Sequence, residues 1–205
     1  MKQIPITTMN RYPQYLRVLR SMRNKGLKKI MSRDIAREMD VEATTVRRDF
    51  SYLGHLGRQG YGYDVDDIIK SFTTEIGTGQ NENVVLIGVG HMGRALLKYN
   101  GFVDRTGKIT CAFDSSPEHC GEVEGVPVYN IKNLRSKLPG DIKIAIMALP
   151  GEYVQSVADD LIALGIKAFI NFSDGEIRHR KKIIVQKIDL ISMIQEVIYR
   201  FKQHY

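Results

Sequence analysis

The stretch Val84-Val85-Leu86-Ile87-Gly88-Val89-Gly90-His91-Met92-Gly93-Arg94-Ala95-Leu96-Leu97 decides the fold of the larger part of this chain. Four consecutive apolar residues read as a buried strand, and Ala95, Leu96 and Leu97 open a helix behind a G-x-G-x-x-G turn. That pattern is weak alone and becomes informative only between a strand and a helix, which is where it stands. The first glycine permits a tight turn, the second lets the backbone approach a pyrophosphate, and the third lets helix and strand pack closely. The helix N-terminus then offers N–H groups and a positive dipole end to phosphate. Asp114 closes the next apolar run 21 residues after Gly93. A carboxylate there accepts hydrogen bonds from adenosine ribose hydroxyls and repels a 2′-phosphate. The cofactor expected from these residues is NAD(H) rather than NADP(H), held by Gly88, Val89, Gly90, His91, Met92, Gly93 and Asp114.

Working outward, short apolar runs alternate with helical stretches. Strands are expected over Val84–Gly88, Ile109–Asp114, Val126–Tyr129, Lys143–Leu149, Ala168–Phe172 and Ile183–Lys187. Helices are expected over Met92–Tyr99, Ile131–Lys137 and Glu152–Leu164. Near-continuous apolar strands alternating with helices imply an α/β domain with a parallel sheet covered on both faces. The last segment, from Leu190 to Phe201, aligns Ile191, Ile194, Ile198 and Phe201 on one stripe of an amphipathic helix that must bury it somewhere. On these residues alone the stripe is expected to pack on its own domain.

The first 60 residues have a different texture. They carry thirteen Lys and Arg against five Asp and Glu, or +8, while the other 145 residues sum to −1 within a total of +7. Such asymmetry fits a polyanion partner for one part of the chain, or a solvated basic face. Helical spacing runs from Pro13 to Asn24 through Tyr15, Leu16, Leu19 and Met22, with Gly26 at its end. Ser32 reads as the N-cap of a second helix through Ile35, Ala36 and Met39, and a third runs from Glu42 to about His55 with Val46, Phe50 and Leu53 on one face. Two short helices joined by a tight turn make a helix-turn-helix, whose second helix enters the major groove of DNA or, as the alternative, binds protein. Thr44 and Thr45 near its start could reach phosphate or bases, and Arg47 and Arg48 could contact phosphate or read guanine. Gly57 to Tyr63 reads as the hairpin wing of a winged helix, with Arg58 on it, and Val65–Phe72 as one more helix. The glycine-bearing polar stretch Gly77–Asn83 is the expected linker.

Composition narrows the function. Hydrophobic residues make up 43% and charged residues 26%, the range of soluble globular proteins. No apolar run reaches the roughly 18 residues of a membrane span, and the N-terminus has no signal-peptide core, so a cytoplasmic protein with no membrane partner is expected. Two cysteines, Cys111 and Cys120, make neither a disulfide framework nor a metal site. A dehydrogenase needs a proton donor or acceptor beside the hydride acceptor. None of His55, His91, His119, His179 and His204 stands in a recognisable catalytic arrangement, and about 120 residues of α/β domain leave no separate substrate domain. No catalytic residue is assigned.

Together these segments resemble the Rex family of redox-sensing transcriptional repressors, essentially end to end. The likeness rests on Arg47-Arg48-Asp49-Phe50-Ser51-Tyr52-Leu53-Gly54, on Gly60-Tyr61-Gly62-Tyr63, and on the glycine loop ending in Ala95-Leu96-Leu97-Lys98-Tyr99. Ala112-Phe113-Asp114, Gly125-Val126-Pro127-Val128 and Asn171-Phe172 follow in the same order. The resemblance implies a winged-helix DNA-binding domain (1–76), a linker (77–83), a doubly wound Rossmann NAD(H)-binding domain (84–189) and a C-terminal helix (190–205) swapped between the subunits of a homodimer. It implies binding to palindromic double-stranded operator DNA and release by NADH. It adds Arg11, Ser32, Ser51 and Tyr52 to Thr44, Thr45, Arg47, Arg48 and Arg58 as DNA-binding residues. It also implies a switch in which Asp189 pairs with Arg17 in the DNA-competent state and with Tyr99 when NADH is bound. Two departures stand out: His91-Met92 where relatives often have Asn-Leu, and Ser173-Asp174 where they often have Ala-Pro. An acid at the nicotinamide end that faced the pocket would alter the preference between the two redox forms.

The oxidised nicotinamide ring is a cation and the reduced ring is neutral, so an apolar slot discriminates between them. Val89, Tyr99, Ala148, Leu149, Pro150 and Phe172 are the expected lining. Coenzyme A as ligand and a constitutive DNA-binding protein remain the alternatives, the first disfavoured by Asp114.

Overall fold

The computed structural model describes residues 4–54, 57–58, 61–76, 82–100, 107–178 and 182–204, without the side chains of Arg58 and Ile76. The chain divides into two compact units, Met1–Gly79 and Gln80–Tyr205.

The first unit contains a short helix α1 (Ile6–Met9), then α2 (Tyr12–Asn24), α3 (Ser32–Met39), α4 (Ala43–Ser51) and α5 (Val65–Ile76). A small sheet joins β1 (Lys29–Ile30), β2 (Gly57–Arg58) and β3 (Gly62–Asp64) in the order β1-β3-β2, all antiparallel. The β2–β3 pair is the wing read from the glycines. The helix-turn-helix is α3 and α4, its turn made by Asp40 in the left-handed region (φ 52°) and closed by the Val41 amide donating to Ala36 O. Two readings are corrected here. Ser32 is the first residue of α3 and not its cap; Met31 holds the cap position, and its amide donates to the Asp34 carboxylate three residues on. Helix α4 ends at Ser51, with a turn through Tyr52 and Leu53, short of the expected His55, which lies outside the described residues.

Helical periodicity explains the core. Tyr15, Leu19, Ile35, Val46, Phe50, Ile68 and Phe72 are all buried together. Phe72 sits at its centre, with ring centroids 4.8 Å from Tyr12, 5.5 Å from Tyr15 and 5.2 Å from Phe50. Such edge and offset contacts add to the burial of the rings themselves.

One charge lies inside this core. Asp49, on α4, is 0% exposed. Its carboxylate accepts from Arg11 Nε (2.6 Å), Arg11 Nη2 (2.8 Å), Tyr15 Oη (2.9 Å) and Thr8 Oγ1 (3.0 Å). The side chain thus ties α4 to α1 and α2. Burial pushes its pKa up, but Arg11, Tyr15 and Thr8 together outweigh that and hold it below the ordinary carboxylate value.

The second unit is a seven-stranded sheet in the order β10-β9-β8-β4-β5-β7-β6. Its strands are β4 (Glu82–Ile87), β5 (Gly107–Asp114), β6 (Gly121–Val123), β7 (Val126–Asn130), β8 (Ile144–Met147), β9 (Ala168–Asn171) and β10 (Ile184–Lys187). All neighbours are parallel except β6 and β7. That antiparallel edge, turned at Glu124-Gly125, is absent from the sequence reading because β6 has no buried residue to mark it. Glu82 and Asn83, read as linker, already pair with Gly107 and Lys108; residues 77–81 of that stretch lie outside the described residues.

Helices α6 (His91–Tyr99), α7 (Leu134–Lys137), α8 (Gly151–Ala163) and α9 (Leu190–His204) complete the unit. Two apolar clusters, one holding Val85, Phe113, Ala145, Leu161 and Phe169 and the other Leu86, Leu97, Ala112 and Val128, show the alternation of a sheet buried on both sides. Helix α9 contributes to neither: Ile191, Ile194, Ile198 and Phe201 are 66, 57, 49 and 62% exposed. The burial on its own domain expected from residues alone is therefore not seen in either cluster of this unit. No helix among the described residues is long and apolar enough to cross a membrane.

Removing one partner of a buried ion pair costs roughly 3–5 kcal/mol. Arg11→Met is expected to lose about that much stability, and Asp49→Ala a comparable amount, because Arg11, 22% exposed, can turn to water while the buried Tyr15 and Thr8 hydroxyls lose their acceptor. The lowered Asp49 pKa makes its contribution complete above about pH 4 and lost as pH falls through the folded value. Thermal denaturation of the full chain from about pH 7 to pH 3 checks both points. The acid-induced loss should be smaller in Asp49→Ala.

Candidate dinucleotide site and nucleic-acid interface

Strand β4 is where the sheet reverses its growth: β5 and β7 are added on one side, β8, β9 and β10 on the other. Ligands of such sheets bind outside the carboxyl ends of the strands at this reversal. The loops after β4, β5 and β8 converge there on a cavity of about 560 Å³. Of the residues expected to hold a cofactor or line a nicotinamide slot, Gly88, Gly90, Asp114, Ala148, Leu149 and Pro150 line it. So do Ile87, Phe113, Ser115, Ser116, His119 and Ile131, and Tyr153, Ser156 and Val157 from the first turns of α8.

Each glycine of the loop answers a different constraint. Gly88 has φ +92°, and a Cβ on it would lie 2.3 Å from Ala148 O. A Cβ on Gly93 would lie 2.0 Å from Gly88 O, so the helix can rest on the strand only without one. A Cβ on Gly90 would meet nothing within 4 Å; it would enter open space at the N-terminus of α6. No side chain caps that helix at Gly90. The loop therefore presents uncapped helix N–H groups beside an opening, the arrangement that fits a pyrophosphate.

Asp114 is part of the same loop architecture. Its Oδ2 accepts from the Val89 amide (2.6 Å) and its Oδ1 from the Ser116 amide (2.8 Å). Burial pushes the carboxyl up, but those two amides and His119 outweigh it, so its pKa lies below the ordinary value and the group is a charged acceptor facing the cavity. The sequence reading missed its neighbours. Tyr153, Ser156 and Val157 fall at helical spacing just after Pro150, a usable signal, whereas Ser115 to His119 has no periodicity to betray it.

Other expected residues lie apart from this cavity. The Val89 side chain is buried in the cluster that holds Leu86 and Leu97, and its amide donates to Asp114. His91 and Met92 are exposed on the first turn of α6, and Tyr99, at its end, is 65% exposed. Phe172 is half-buried and continues the sheet, its amide donating to Met147 O. Asp189 caps α9, accepting from the Ser192 amide (3.0 Å) and hydroxyl (2.7 Å), which lower its pKa. Asp174 is exposed, with Oδ1 against Gly151 at the start of α8 and outside the cavity lining.

In the first unit, Thr44, Arg47 and Arg48 are exposed on α4, with Thr45 and Tyr52 half-buried. Arg47 Nη1 donates to Ser32 Oγ (3.3 Å), joining the two helices of the motif, and Ser51 Oγ donates to Arg48 O (2.7 Å). Arg11 is drawn inward onto Asp49, while Arg17 is exposed on α2. The Arg58 side chain lies outside the described residues. A basic helix face presented beside a wing is the geometry of a groove reader.

The fold and sites define a winged-helix regulator with an appended dinucleotide-type α/β unit. Comparison with known proteins gives the same division. A family described as "Putative DNA-binding protein N-terminus" matches residues 3–51, and one described as "CoA binding domain" matches residues 79–175. The redox-sensing transcriptional repressor Rex of Bacillus licheniformis is 38% identical over 205 residues, covering 99% of this chain and 95% of the relative. That of Bacillus subtilis is 38% identical over 204 residues, covering 99% and 94%. The solved structure of RSP with beta-NAD+ and operator DNA superposes with a TM-score of 0.90 at 27% identity, over 99% of this chain and 94% of that one. RSP with beta-NADH gives 0.85 at 25%, over 99% and 96%. The chain belongs to the Rex family of redox-sensing transcriptional repressors.

The two glycines at the mouth of the loop separate folding from binding. Gly90→Ala is expected to leave the melting temperature unchanged and weaken NADH binding at least about tenfold, because its methyl fills ligand space. Gly93→Ala is expected to lose stability as well, by about 1–3 kcal/mol for overpacking. Calorimetric titration with NADH and thermal denaturation of both variants read the difference.

Proposed function

We infer that this chain is a redox-sensing transcriptional repressor that binds operator DNA under the control of NAD(H), and that it is a transcription factor rather than an enzyme. The observation that carries this reading is the union, in one chain, of an exposed basic recognition helix and an uncapped glycine-loop cradle with a charged Asp114 beside it. Relatives that match essentially end to end are repressors, and RSP has been captured with operator DNA and with both redox forms of the dinucleotide.

The finer reading concerns polarity and assembly. NADH releases the DNA, because an apolar slot near Ala148, Leu149 and Pro150 takes a neutral nicotinamide ring more readily than a cation. A ligand shifts a conformational equilibrium only by its differential affinity for the two states, and near-complete switching needs about 5.5 kcal/mol. Arg17, Tyr99 and Asp189 are the switch, Asp189 exchanging Arg17 for Tyr99 as NADH binds. Gly88 to Gly93, Tyr99, Asp114, Ala148, Pro150 and Phe172 hold the cofactor. Thr44, Thr45, Arg47, Arg48, Ser51, Tyr52 and Arg58, with Arg11 and Ser32, face the DNA. The exposed stripe of α9 supports a homodimer built by exchange of that helix, and two recognition helices suit a palindromic site. The protein works in the cytoplasm. A coenzyme A reading, suggested by the matched domain family, is disfavoured because coenzyme A carries a 3′-phosphate on the ribose that Asp114 would face.

Fluorescence-polarisation binding to a verified palindromic operator, at fixed salt because phosphate contacts make affinity salt-dependent, tests the polarity. NADH should release the DNA and NAD⁺ should not; indifference to both dinucleotides would remove the sensing role. The assembly has its own test. Ile194→Asp with Ile198→Asp should convert a dimer to a monomer in sedimentation and abolish high-affinity operator binding. A double variant that stays dimeric would exclude α9 as the interface.

A further inference from the structure

Asp114 has a neighbour whose role the loop architecture leaves open. His119 ends a 3₁₀ turn (Pro117–His119) immediately after β5. The turn is held in place: the His119 amide donates to Ser116 O (3.1 Å), the Cys120 amide to Pro117 O (3.1 Å), and Cys120 Sγ to Ser116 O (3.4 Å). Its imidazole lines the cavity, with Nδ1 3.1 Å from Asp114 Oδ1. In this ring orientation Nδ1 is buried and makes no hydrogen bond among the described residues, although it stands close enough to the carboxylate to act on its charge. A buried polar atom left unpaired beside a charged acceptor is costly, and a small rotation of the ring cures it. The side chain is 30% exposed, so the ring carries its remaining edge to the cavity.

We propose that His119 is a ligand-contacting residue that, together with Asp114, reads the 2′-hydroxyl of the adenosine ribose and excludes a 2′-phosphate. The proposal rests on the dinucleotide reading above. A carboxylate offers about four lone-pair positions, and the Val89 and Ser116 amides take one on each oxygen. In the neutral ring with Nδ1–H turned onto Oδ1, Nε2 carries a lone pair. The pair then offers the ligand only acceptors: a carboxylate oxygen and Nε2. A ribose hydroxyl has a proton to give to such a surface. A phosphate ester brings negative charge to Asp114 and suits neither acceptor. Asp114, His119 and Tyr153 are the only titratable side chains in the described lining, so no lysine or arginine stands ready there to take a phosphate.

The test is a cycle between protein and ligand. Binding of NADH, its 2′-deoxy analogue and NADPH is measured calorimetrically on the full-length wild type, His119→Ala, His119→Asn and His119→Gln. Loss of the 2′-hydroxyl should weaken the wild type about tenfold, the size of one net hydrogen bond, and His119→Ala only about twofold. The preference for NADH over NADPH should narrow about tenfold in His119→Ala. Glutamine places an amide near the Nε2 position and should restore part of the 2′-hydroxyl dependence; asparagine, which reaches only the Nδ1 position, should not. Gln and Asn also keep the test alive if Ala unfolds. Equal losses in wild type and variants, or an unchanged NADPH preference, overturn the proposal while leaving the dinucleotide site intact. A wild type that binds none of the three ligands overturns the dinucleotide reading itself, and this proposal with it.

Discussion

A carboxylate taken out of water must be answered by hydrogen-bond donors, and both units of this chain are arranged around that requirement. In the first, Asp49 is fully enclosed and receives four side-chain hydrogen bonds from Thr8, Arg11 and Tyr15. The recognition helix α4 is thereby tied to α1 and α2, and its opposite face is left to Thr44, Arg47 and Arg48. Loss of Asp49 would free the orientation of that exposed basic face as well as cost stability. In the second unit Asp114 plays the same part with backbone donors, joining the end of β5 to the glycine loop after β4.

The dinucleotide site is made mostly by the course of the backbone. Three glycines permit a turn, a close helix–strand contact and an opening, and the uncapped end of α6 faces that opening. Side chains line the margins of the cavity: Asp114 and His119 after β5, and the apolar Ala148, Leu149 and Pro150 after β8. His91 and Met92, one departure from the more usual residues, have exposed side chains outside the cavity lining and leave that backbone course to the glycines. Asp174, the other departure, rests against Gly151 at the start of α8, where a negative charge suits the helix dipole.

The wing and six of the seven strands of the larger sheet were legible from residues alone because glycine turns and continuous apolar runs carry local signals, which β6 lacks. The G-x-G-x-x-G loop and Asp114 were legible for the same reason, since their chemistry depends on spacing along the chain. Position fails as a guide where one residue serves a distant one. Arg11 reads as a surface base, yet it is turned onto Asp49, 38 residues away in sequence. Val89 reads as a slot residue, yet its side chain faces the core. His119 reads as a stray histidine for another reason: the short turn Pro117–His119 that folds it back beside Asp114 has no periodic signal.

By itself the sequence determined two domains of opposite character, a basic helix-turn-helix and an α/β unit with a phosphate-binding turn, because charge, periodicity and glycine spacing are local properties. Tertiary structure alone decided which charges are buried, which edge of the sheet turns antiparallel, and that the apolar stripe of α9 stays largely exposed rather than joining the core of its own unit. The physical reason is the same in each case. Burial and pairing depend on what the rest of the chain brings alongside, and no spacing along the sequence records that.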